Sequence, residues 1–171
     1  MTSTATSRSD GPLVVLMCGV AGSGKTAYAQ SLERQGHVRL SIDEEVWRRF
    51  GRYDVDYDES DYASFSQIAE EALCARLLEL IADGRDVVLD LSFWRRASRE
   101  QYKRLIESAG GRWRLVYLQA EPYVLRQRLA ERAQRFDANA AFPITEEVLA
   151  GFLSGFEEPC GEGEEIVLAR P

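Results

Sequence analysis

The sequence predicts a three-layer α/β domain built on parallel strands. Short apolar runs rich in β-branched residues alternate along the chain with helical patterns, and this alternation is typical of parallel strands joined by helical crossovers. The first and third runs are almost continuously apolar, which indicates strands that are buried on both faces. Gly36, Gly84, Gly110 and Gly111 follow helical patterns, where glycine commonly ends a helix.

Five strands and six helices are expected along the chain. The predicted strands are Leu13–Met17, Val38–Ile42, Val87–Leu91, Leu115–Leu118 and Ile166–Leu168. The predicted helices are Lys25–Gln35, Glu44–Phe50, Tyr62–Ala82, Ala97–Ala109, Pro122–Gln134 and Thr145–Phe156. Three segments interrupt the alternation, namely Arg52–Asp61, Arg135–Pro143 and Glu157–Glu165. Ligands of open α/β sheets bind beyond the carboxyl ends of the strands, so segments that leave those ends are candidates for a site.

Length and composition favour one globular domain. The chain has 171 residues, enough to bury a single core, and we expect a domain at residues 12–171 after a Ser- and Thr-rich disordered tail at residues 1–11. No apolar stretch reaches the ~18 residues that a membrane span needs. The three cysteines, Cys18, Cys74 and Cys160, are not clustered, which favours a reducing, cytoplasmic location.

The net charge of −7 limits the partners. Binding to duplex DNA or long RNA usually leaves a basic footprint, so the charge disfavours a nucleic-acid partner and favours a small-molecule substrate. The sequence is compatible with a monomer or a homodimer and does not choose between them.

One motif predicts a specific chemistry. Residues 19–26 read Gly19-Val20-Ala21-Gly22-Ser23-Gly24-Lys25-Thr26 and fit G-x-x-x-x-G-K-[ST] at every fixed position. The motif lies between an apolar strand and a helical pattern, which is the context that a phosphate-binding loop requires. Its backbone N–H groups wrap the phosphates, Lys25 reaches the β- and γ-phosphates, and the Thr26 hydroxyl ligates Mg²⁺. The residues expected to bind a nucleoside triphosphate are Gly19, Ala21, Gly22, Ser23, Gly24, Lys25 and Thr26.

Two carboxylates follow predicted strands. Asp43 comes after the second strand, where it would face the γ-phosphate from the acceptor side and accept a proton from an attacking hydroxyl. The alternative is helix capping, since Ser41 and Glu44 match a capping box. Asp90 ends the apolar run of the third strand, a pattern that places a carboxylate beside Thr26 to hold Mg²⁺ directly or through water.

Three arginines are expected on one face of the fifth helix. Arg128, Arg132 and Arg135 recur at helical spacing just before the segment Arg135–Pro143. They could fold over the triphosphate and offset the charge of the transferring phosphoryl group. The alternative is a solvated face with local ion pairs.

Two further segments are candidates for the acceptor site. Trp94 and Arg99 follow Asp90 closely, so Trp94 could wall a substrate and Arg99 could bind it, whereas packing and solubility are the alternatives. The segment Arg52–Asp61 is rich in aspartate and tyrosine. Such a lip would suit a cationic or polyhydroxylated molecule, unless it is simply a solvated loop.

Taken together, the glycine loop, Ser-Ile-Asp43, Val-Val-Leu-Asp90 and Arg132-x-x-Arg135 resemble the small AAA-type P-loop kinases. That group is related to chloramphenicol phosphotransferase, gluconate kinase and the polynucleotide kinases. The resemblance implies an adenylate-kinase-like P-loop NTPase fold with a five-stranded parallel sheet of order 2-3-1-4-5 and a lid. It also implies that Asp43 is the acceptor-activating base and that Arg132 and Arg135 clamp the donor phosphates. No guanine-specifying N-K-x-D motif is present, which favours ATP, with Mg²⁺, as the donor.

The favoured function is therefore an ATP-dependent phosphotransferase that moves the γ-phosphate to a hydroxyl of a small molecule, such as an antibiotic or a metabolite. A polynucleotide 5′-hydroxyl kinase and a non-catalytic nucleotide-binding switch are the alternatives. The negative net charge disfavours the polynucleotide kinase, and an acceptor base at Asp43 disfavours the non-catalytic switch. The sequence does not identify the acceptor.

Overall fold

The structure is a computed structural model that describes residues 11–169. The predicted tail at residues 1–11 therefore lies outside the described residues, apart from Gly11. Within residues 11–169 no helix is long and apolar enough to cross a membrane.

The secondary structure follows the predicted alternation. The strands are β1 (Leu13–Cys18), β2 (Val38–Leu40), β3 (Val87–Leu89), β4 (Arg112–Gln119) and β5 (Glu164–Leu168). The helices are α1 (Lys25–Arg34), α2 (Ile42–Phe50), α3 (Tyr62–Ala82), α4 (Arg96–Ser108), α5 (Pro122–Arg132) and α6 (Glu146–Gly155). Two short 3₁₀ turns, Glu59–Asp61 and Ala138–Ala140, lie in the segments that interrupt the pattern.

One parallel sheet organises these elements, in the order β2-β3-β1-β4-β5. In the central strand, Val15 pairs with Val88 of β3 on one side and with Arg114 of β4 on the other. The predicted α/β class, the five-stranded parallel sheet and the strand order are confirmed. The carboxyl ends of β1, β2 and β3 meet at one edge of this sheet, and the loops that leave them carry the predicted site.

The core lies on both faces of β1 because successive strand residues point to opposite sides. Val14 packs in the cluster that contains Leu77 of α3 and Ile106 of α4. Val15 packs in a second cluster with Ala29 of α1. All five side chains are fully buried, and burying a large apolar side chain stabilises the fold by about 1.5–3 kcal/mol. The central strand is therefore fixed from both sides, which holds the loop that follows it.

The boundary between β2 and α2 differs from the prediction. β2 ends at Leu40 rather than at Ile42, since Ser41 caps a helix: its hydroxyl accepts a hydrogen bond from the Glu44 backbone N–H at 3.4 Å. Ile42 and Asp43 therefore begin α2 instead of following the strand. The cap fixes Asp43 in the first helical turn.

A buried ion pair anchors the acidic segment before β5. Arg99 of α4 donates from Nε and Nη2 to the two carboxylate oxygens of Glu162 at 2.8 and 2.7 Å. Its Nη1 donates to the carbonyl oxygen of Phe93 at 2.7 Å. The Arg99 side chain is 0% exposed, so the expectation that it binds the acceptor is wrong. It holds two segments of the fold together instead.

We expect Glu162→Gln to lower the free energy of unfolding by about 3–5 kcal/mol, because it leaves the Arg99 charge buried without its partner. Hydrogen bonds from Arg99 hold the pKa of Glu162 below its usual range. The contribution of the pair is therefore present above the unfolded pKa of Glu162 and is lost as the pH falls through the lower folded value. Urea denaturation at neutral and acidic pH measures both effects.

The matched control is Glu165→Gln, which removes an exposed partner of Arg114 and should cost less than about 1 kcal/mol. Equal losses in the two variants, or a loss at Glu162 that does not shrink in acid, would contradict the structural role of the buried pair.

Candidate active site

Glycines shape the loop between β1 and α1. Gly24 has a φ of +99° at the start of α1, a conformation that residues with a Cβ rarely adopt. At Gly19 a Cβ atom would lie 2.8 Å from the carbonyl oxygen of Leu118 in β4. The loop therefore passes close to the sheet and leads directly into a helix N-terminus, where backbone N–H groups favour an anion.

The remaining loop positions form a cradle with one unsatisfied group. Ala21 and Gly22 are partly exposed, whereas Ser23 is buried, and its hydroxyl has no hydrogen-bond partner within residues 11–169. Arg128 of α5 donates from Nη1 to the carbonyl oxygen of Ser23 at 3.0 Å. The loop fits the predicted ligand because it leads into a helix N-terminus, whose free backbone N–H groups can bind a phosphate.

Lys25 lies across the loop. Its Nζ donates to the carbonyl oxygen of Val20 at 2.9 Å. Burial lowers the pKa of the Lys25 ammonium to about 8, against the opposing attraction of Asp90, Cys18 and Asp43. The ammonium is therefore buried beside the loop, where a nearby phosphate charge would stabilise its protonated form.

The predicted Mg²⁺ ligands are neighbours. The Thr26 hydroxyl donates to Oδ1 of Asp90 at 3.3 Å, and Asp90 is 9% exposed. A hydroxyl and a carboxylate beside a phosphate-binding loop are the ligands that Mg²⁺ takes in such sites, so the residues present fit the ion. Burial raises the pKa of Asp90, and the charges of Lys25 and Arg39 oppose that rise.

Arg39 of β2 is the part of this cluster that the sequence analysis missed. Its Nη1 donates to Oδ2 of Asp90 at 2.9 Å, and the Arg39 side chain is 7% exposed. It also pairs with Glu44 of α2 and, at 3.3 Å, with Glu33 of α1. The only sequence signal is a single arginine inside an apolar strand, because its three partners lie on α1, on α2 and just after β3.

Asp43 lies in the same charge cluster. Burial raises the pKa of the Asp43 carboxyl, the Arg132 charge opposes this, and the Asp90 charge adds to it. Tyr62 at the start of α3 donates to Oδ1 of Asp43 at 3.5 Å. A half-buried carboxylate beside the phosphate loop, with a raised pKa, accepts a proton more readily than an exposed aspartate does.

The three arginines predicted to bind the donor phosphates lie in different environments, Arg128 and Arg132 on α5 and Arg135 just after it. Arg132 donates from Nε to the carbonyl oxygen of Asn139 at 2.9 Å, and its pKa is lowered by burial and raised by the Asp43 charge. Arg128 contacts the loop, as described above. Arg135 is exposed and pairs with Asp137 at 2.9 Å. The structure brings Arg128 and Arg132 to the site and leaves Arg135 at its edge.

The segment predicted as a lid folds across α2. Asn139 lies in the 3₁₀ turn Ala138–Ala140, and its Nδ2 donates to Oε1 of Glu44 at 3.0 Å. Further along, the Phe142 ring stacks on the Tyr62 ring, with centroids 4.9 Å apart. The segment therefore contacts the elements that carry Asp43.

Trp94 lies away from this cluster. Its ring packs against Phe152 of α6, with centroids 6.2 Å apart, and the Arg95 guanidinium lies 5.2 Å above it. The aromatic side chains beside Asp43 are instead Trp47, Tyr57, Tyr62 and Phe142. The structure therefore gives no support to Trp94 as an acceptor wall.

Comparisons with known proteins agree with this arrangement. The AAA domain family matches residues 14–159. A UPF0200 protein from Pyrobaculum aerophilum is 29% identical over 124 residues, which cover 72% of this chain and 68% of that protein.

Solved structures share the fold. A crystal structure from Chloroflexus aurantiacus has a TM-score of 0.72 and 17% identity, covering 93% of this chain and 88% of that chain. A gluconokinase from Sinorhizobium meliloti has a TM-score of 0.57 and 23% identity, covering 95% and 85% of the two chains. The family match spans the glycine loop, both aspartates and the α5 arginines, and the chain belongs to the AAA domain family of P-loop proteins.

Proposed function

We propose that this protein is an ATP- and Mg²⁺-dependent phosphotransferase that transfers the γ-phosphate to a hydroxyl of a small molecule. The observation that carries the proposal is the position of Asp43. It is a partly buried carboxylate, capped into the first turn of α2, whose pKa responds to the charges of Arg132, Asp90 and Lys25. A protein that only senses nucleotide has no need of a proton acceptor at this place.

The donor phosphates would lie in the glycine loop. Backbone N–H groups at the start of α1 and the Lys25 ammonium would bind them, and Arg128 and Arg132 would offset charge on the transferring group. Thr26 and Asp90 would hold Mg²⁺, which would supply positive charge to neutralise the donor phosphates. Lowering of the Lys25 pKa by burial supports this assignment, since a triphosphate would restore a favourable environment for the ammonium.

The transfer step would use Asp43 as a base. The carboxylate accepts the proton of the acceptor hydroxyl while the hydroxyl oxygen forms a bond to the γ-phosphorus. The bond between that phosphorus and the β,γ-bridging oxygen breaks, and ADP leaves with the electron pair. Asp43 then returns its proton to solvent. The raised pKa brings its proton affinity nearer to neutral pH than that of an exposed aspartate.

Nucleotide affinity is expected to fall as the pH rises above about 8. With a free pKa near 8 and a higher value beside the triphosphate, Lys25 is protonated in both states below pH 8, and binding there is independent of pH. Above pH 8, binding must take up a proton, so the affinity falls up to tenfold per pH unit. Calorimetry with a non-hydrolysable ATP analogue, in buffers of different ionisation enthalpy, measures the proton uptake directly.

The matched variant is Lys25→Arg, which keeps a charge that does not titrate in this range. Its residual binding should lose the pH dependence. Proton uptake that persists in this variant would assign the titration to another group.

We expect Asp43→Asn to reduce phosphoryl transfer by about 10²–10⁴-fold while nucleotide binding changes little, because the amide cannot accept the proton. The assay follows label from γ-labelled ATP into pooled metabolites, antibiotics and oligonucleotides. Glu45→Gln is the control, since Glu45 lies in the same helical turn but pairs with Arg48 and Arg49 away from the cluster. Full transfer by the Asp43 variant would show that Asp43 has only a structural role at the start of α2. Label in oligonucleotides would favour a polynucleotide 5′-hydroxyl kinase.

A further inference from the structure

The 3₁₀ turn Ala138–Ala140 is attached to α2 by a hydrogen bond between two side chains. Asn139 in the turn donates from Nδ2 to Oε1 of Glu44 at 3.0 Å. Because the acceptor is a carboxylate, this hydrogen bond is stronger than one between neutral groups. We call this contact the Glu44–Asn139 latch. It joins residues that are 95 positions apart in the sequence.

The acceptor side of the latch is held in place by two other contacts. Oε1 of Glu44 also accepts a hydrogen bond from Nη2 of Arg39, whose side chain is buried against Asp90. The backbone of Glu44 lies in the first turn of α2, where Ser41 caps the helix. The carboxylate is therefore fixed both at its backbone and at its tip, and it restricts where the Asn139 side chain can lie.

The backbone of Asn139 in turn orients Arg132. Its carbonyl oxygen accepts a hydrogen bond from Nε of Arg132 at 2.9 Å. Within residues 11–169 the two terminal nitrogens of that guanidinium, Nη1 and Nη2, donate no hydrogen bond. A guanidinium held through Nε keeps these two groups for a ligand, and their forked geometry matches two oxygens of a phosphate.

Arg132 lies near the groups expected to surround the γ-phosphate. Burial raises the pKa of Asp43, and the Arg132 charge opposes that rise. Burial lowers the pKa of Lys25, and the Arg132 charge adds to that effect. Arg128, in contrast, donates to the carbonyl oxygen of Ser23 in the glycine loop. Of these two arginines, Arg132 is therefore the one close to both the proposed base and the loop lysine.

We propose that Glu44 and Asn139 are positioning residues, which hold the Arg132 guanidinium in the orientation that binds the γ-phosphate of ATP. Arg132 would contact the phosphate, and the latch would act through Arg132 alone. This inference rests on the phosphotransferase function proposed above, and in particular on its placement of the donor phosphates. ADP lacks the group that Arg132 would bind, so the latch should contribute to the affinity for the triphosphate and not to that for the diphosphate.

The first experiment uses calorimetry with Mg²⁺ present to compare two nucleotides in Asn139→Ala. Binding of a non-hydrolysable ATP analogue should weaken by about tenfold, the effect of losing a hydrogen bond to a charged group. Binding of ADP should stay within about twofold of the wild-type value. Phe136→Ala is the matched control and should change neither affinity, because Phe136 lies in the same segment but is 98% exposed. Thermal unfolding checks that each variant is folded.

The second experiment tests whether the latch acts through Arg132. In a protein that already carries Arg132→Gln, Asn139→Ala should weaken binding of the ATP analogue no further, because coupled residues do not contribute additively. It should also add nothing to Glu44→Ala, which removes the other half of the latch. Glu44→Gln keeps an acceptor oxygen for Asn139 and should restore part of the affinity that Glu44→Ala loses. The two Glu44 variants carry the same comparison of nucleotides if Asn139→Ala does not fold.

These results separate the two proposals. A selective loss of affinity for the triphosphate, without transfer of label from γ-labelled ATP to any acceptor, would support the latch and count against the phosphotransferase function. Equal losses for the two nucleotides, an unchanged affinity for the ATP analogue, or losses that add to those of Arg132→Gln would overturn the latch. Label transfer by the wild-type protein would leave the phosphotransferase function standing in each of those cases.

Discussion

The pair between Arg39 and Asp90 is the contact on which the geometry of the site depends. It joins β2 to the residue after β3, with a distance of 2.9 Å between side chains that are 7% and 3% exposed. Loss of either partner would leave a buried charge, which costs about 3–5 kcal/mol. Because Arg39 also pairs with Glu44, and Glu44 accepts a hydrogen bond from Asn139, a single guanidinium connects Asp90, the proposed Mg²⁺ ligand, to α2 and to the segment that carries Asn139.

The loop after β3 contains a residue with an unusual backbone conformation, and hydrogen bonds from buried groups hold it in place. Phe93 has a φ of +43°, and a residue with a side chain in that region stores about 1–3 kcal/mol of strain. Its carbonyl oxygen accepts hydrogen bonds from Arg99 at 2.7 Å and from the Cys18 thiol at 3.3 Å. One residue earlier, the Ser92 carbonyl oxygen accepts from the backbone N–H of Gly19 at 3.1 Å. The buried pair of Arg99 and Glu162 thus helps to hold the loop that follows Asp90 against the glycine motif.

The sequence predicted those features that local chemistry determines. The glycine loop needs only its own residues and the flanking strand and helix, and the apolar runs require burial whatever surrounds them. The roles of Arg39 and Tyr62 could not be predicted in this way, because each depends on an acid that the fold brings close from another element. Arg99 shows the same limit: a positive charge shortly after Asp90 predicts a substrate contact until Glu162, which is distant in sequence, supplies its partner. The strand order came from the family resemblance rather than from periodicity, which cannot distinguish one arrangement of parallel strands from another.

The segment above the site is in contact with both halves of the proposed reaction. Through its backbone, Asn139 accepts a hydrogen bond from Arg132, the arginine assigned to the donor phosphates. Three residues later, Phe142 stacks on Tyr62, whose hydroxyl donates to Asp43, the base proposed for the acceptor. If this segment moved to admit one substrate, contacts that the other would use would change as well, so the affinities for donor and acceptor would be coupled, and reciprocally so by thermodynamic necessity. An acceptor bound at Asp43 would hold the segment in place, exclude water from the γ-phosphate and favour transfer over hydrolysis.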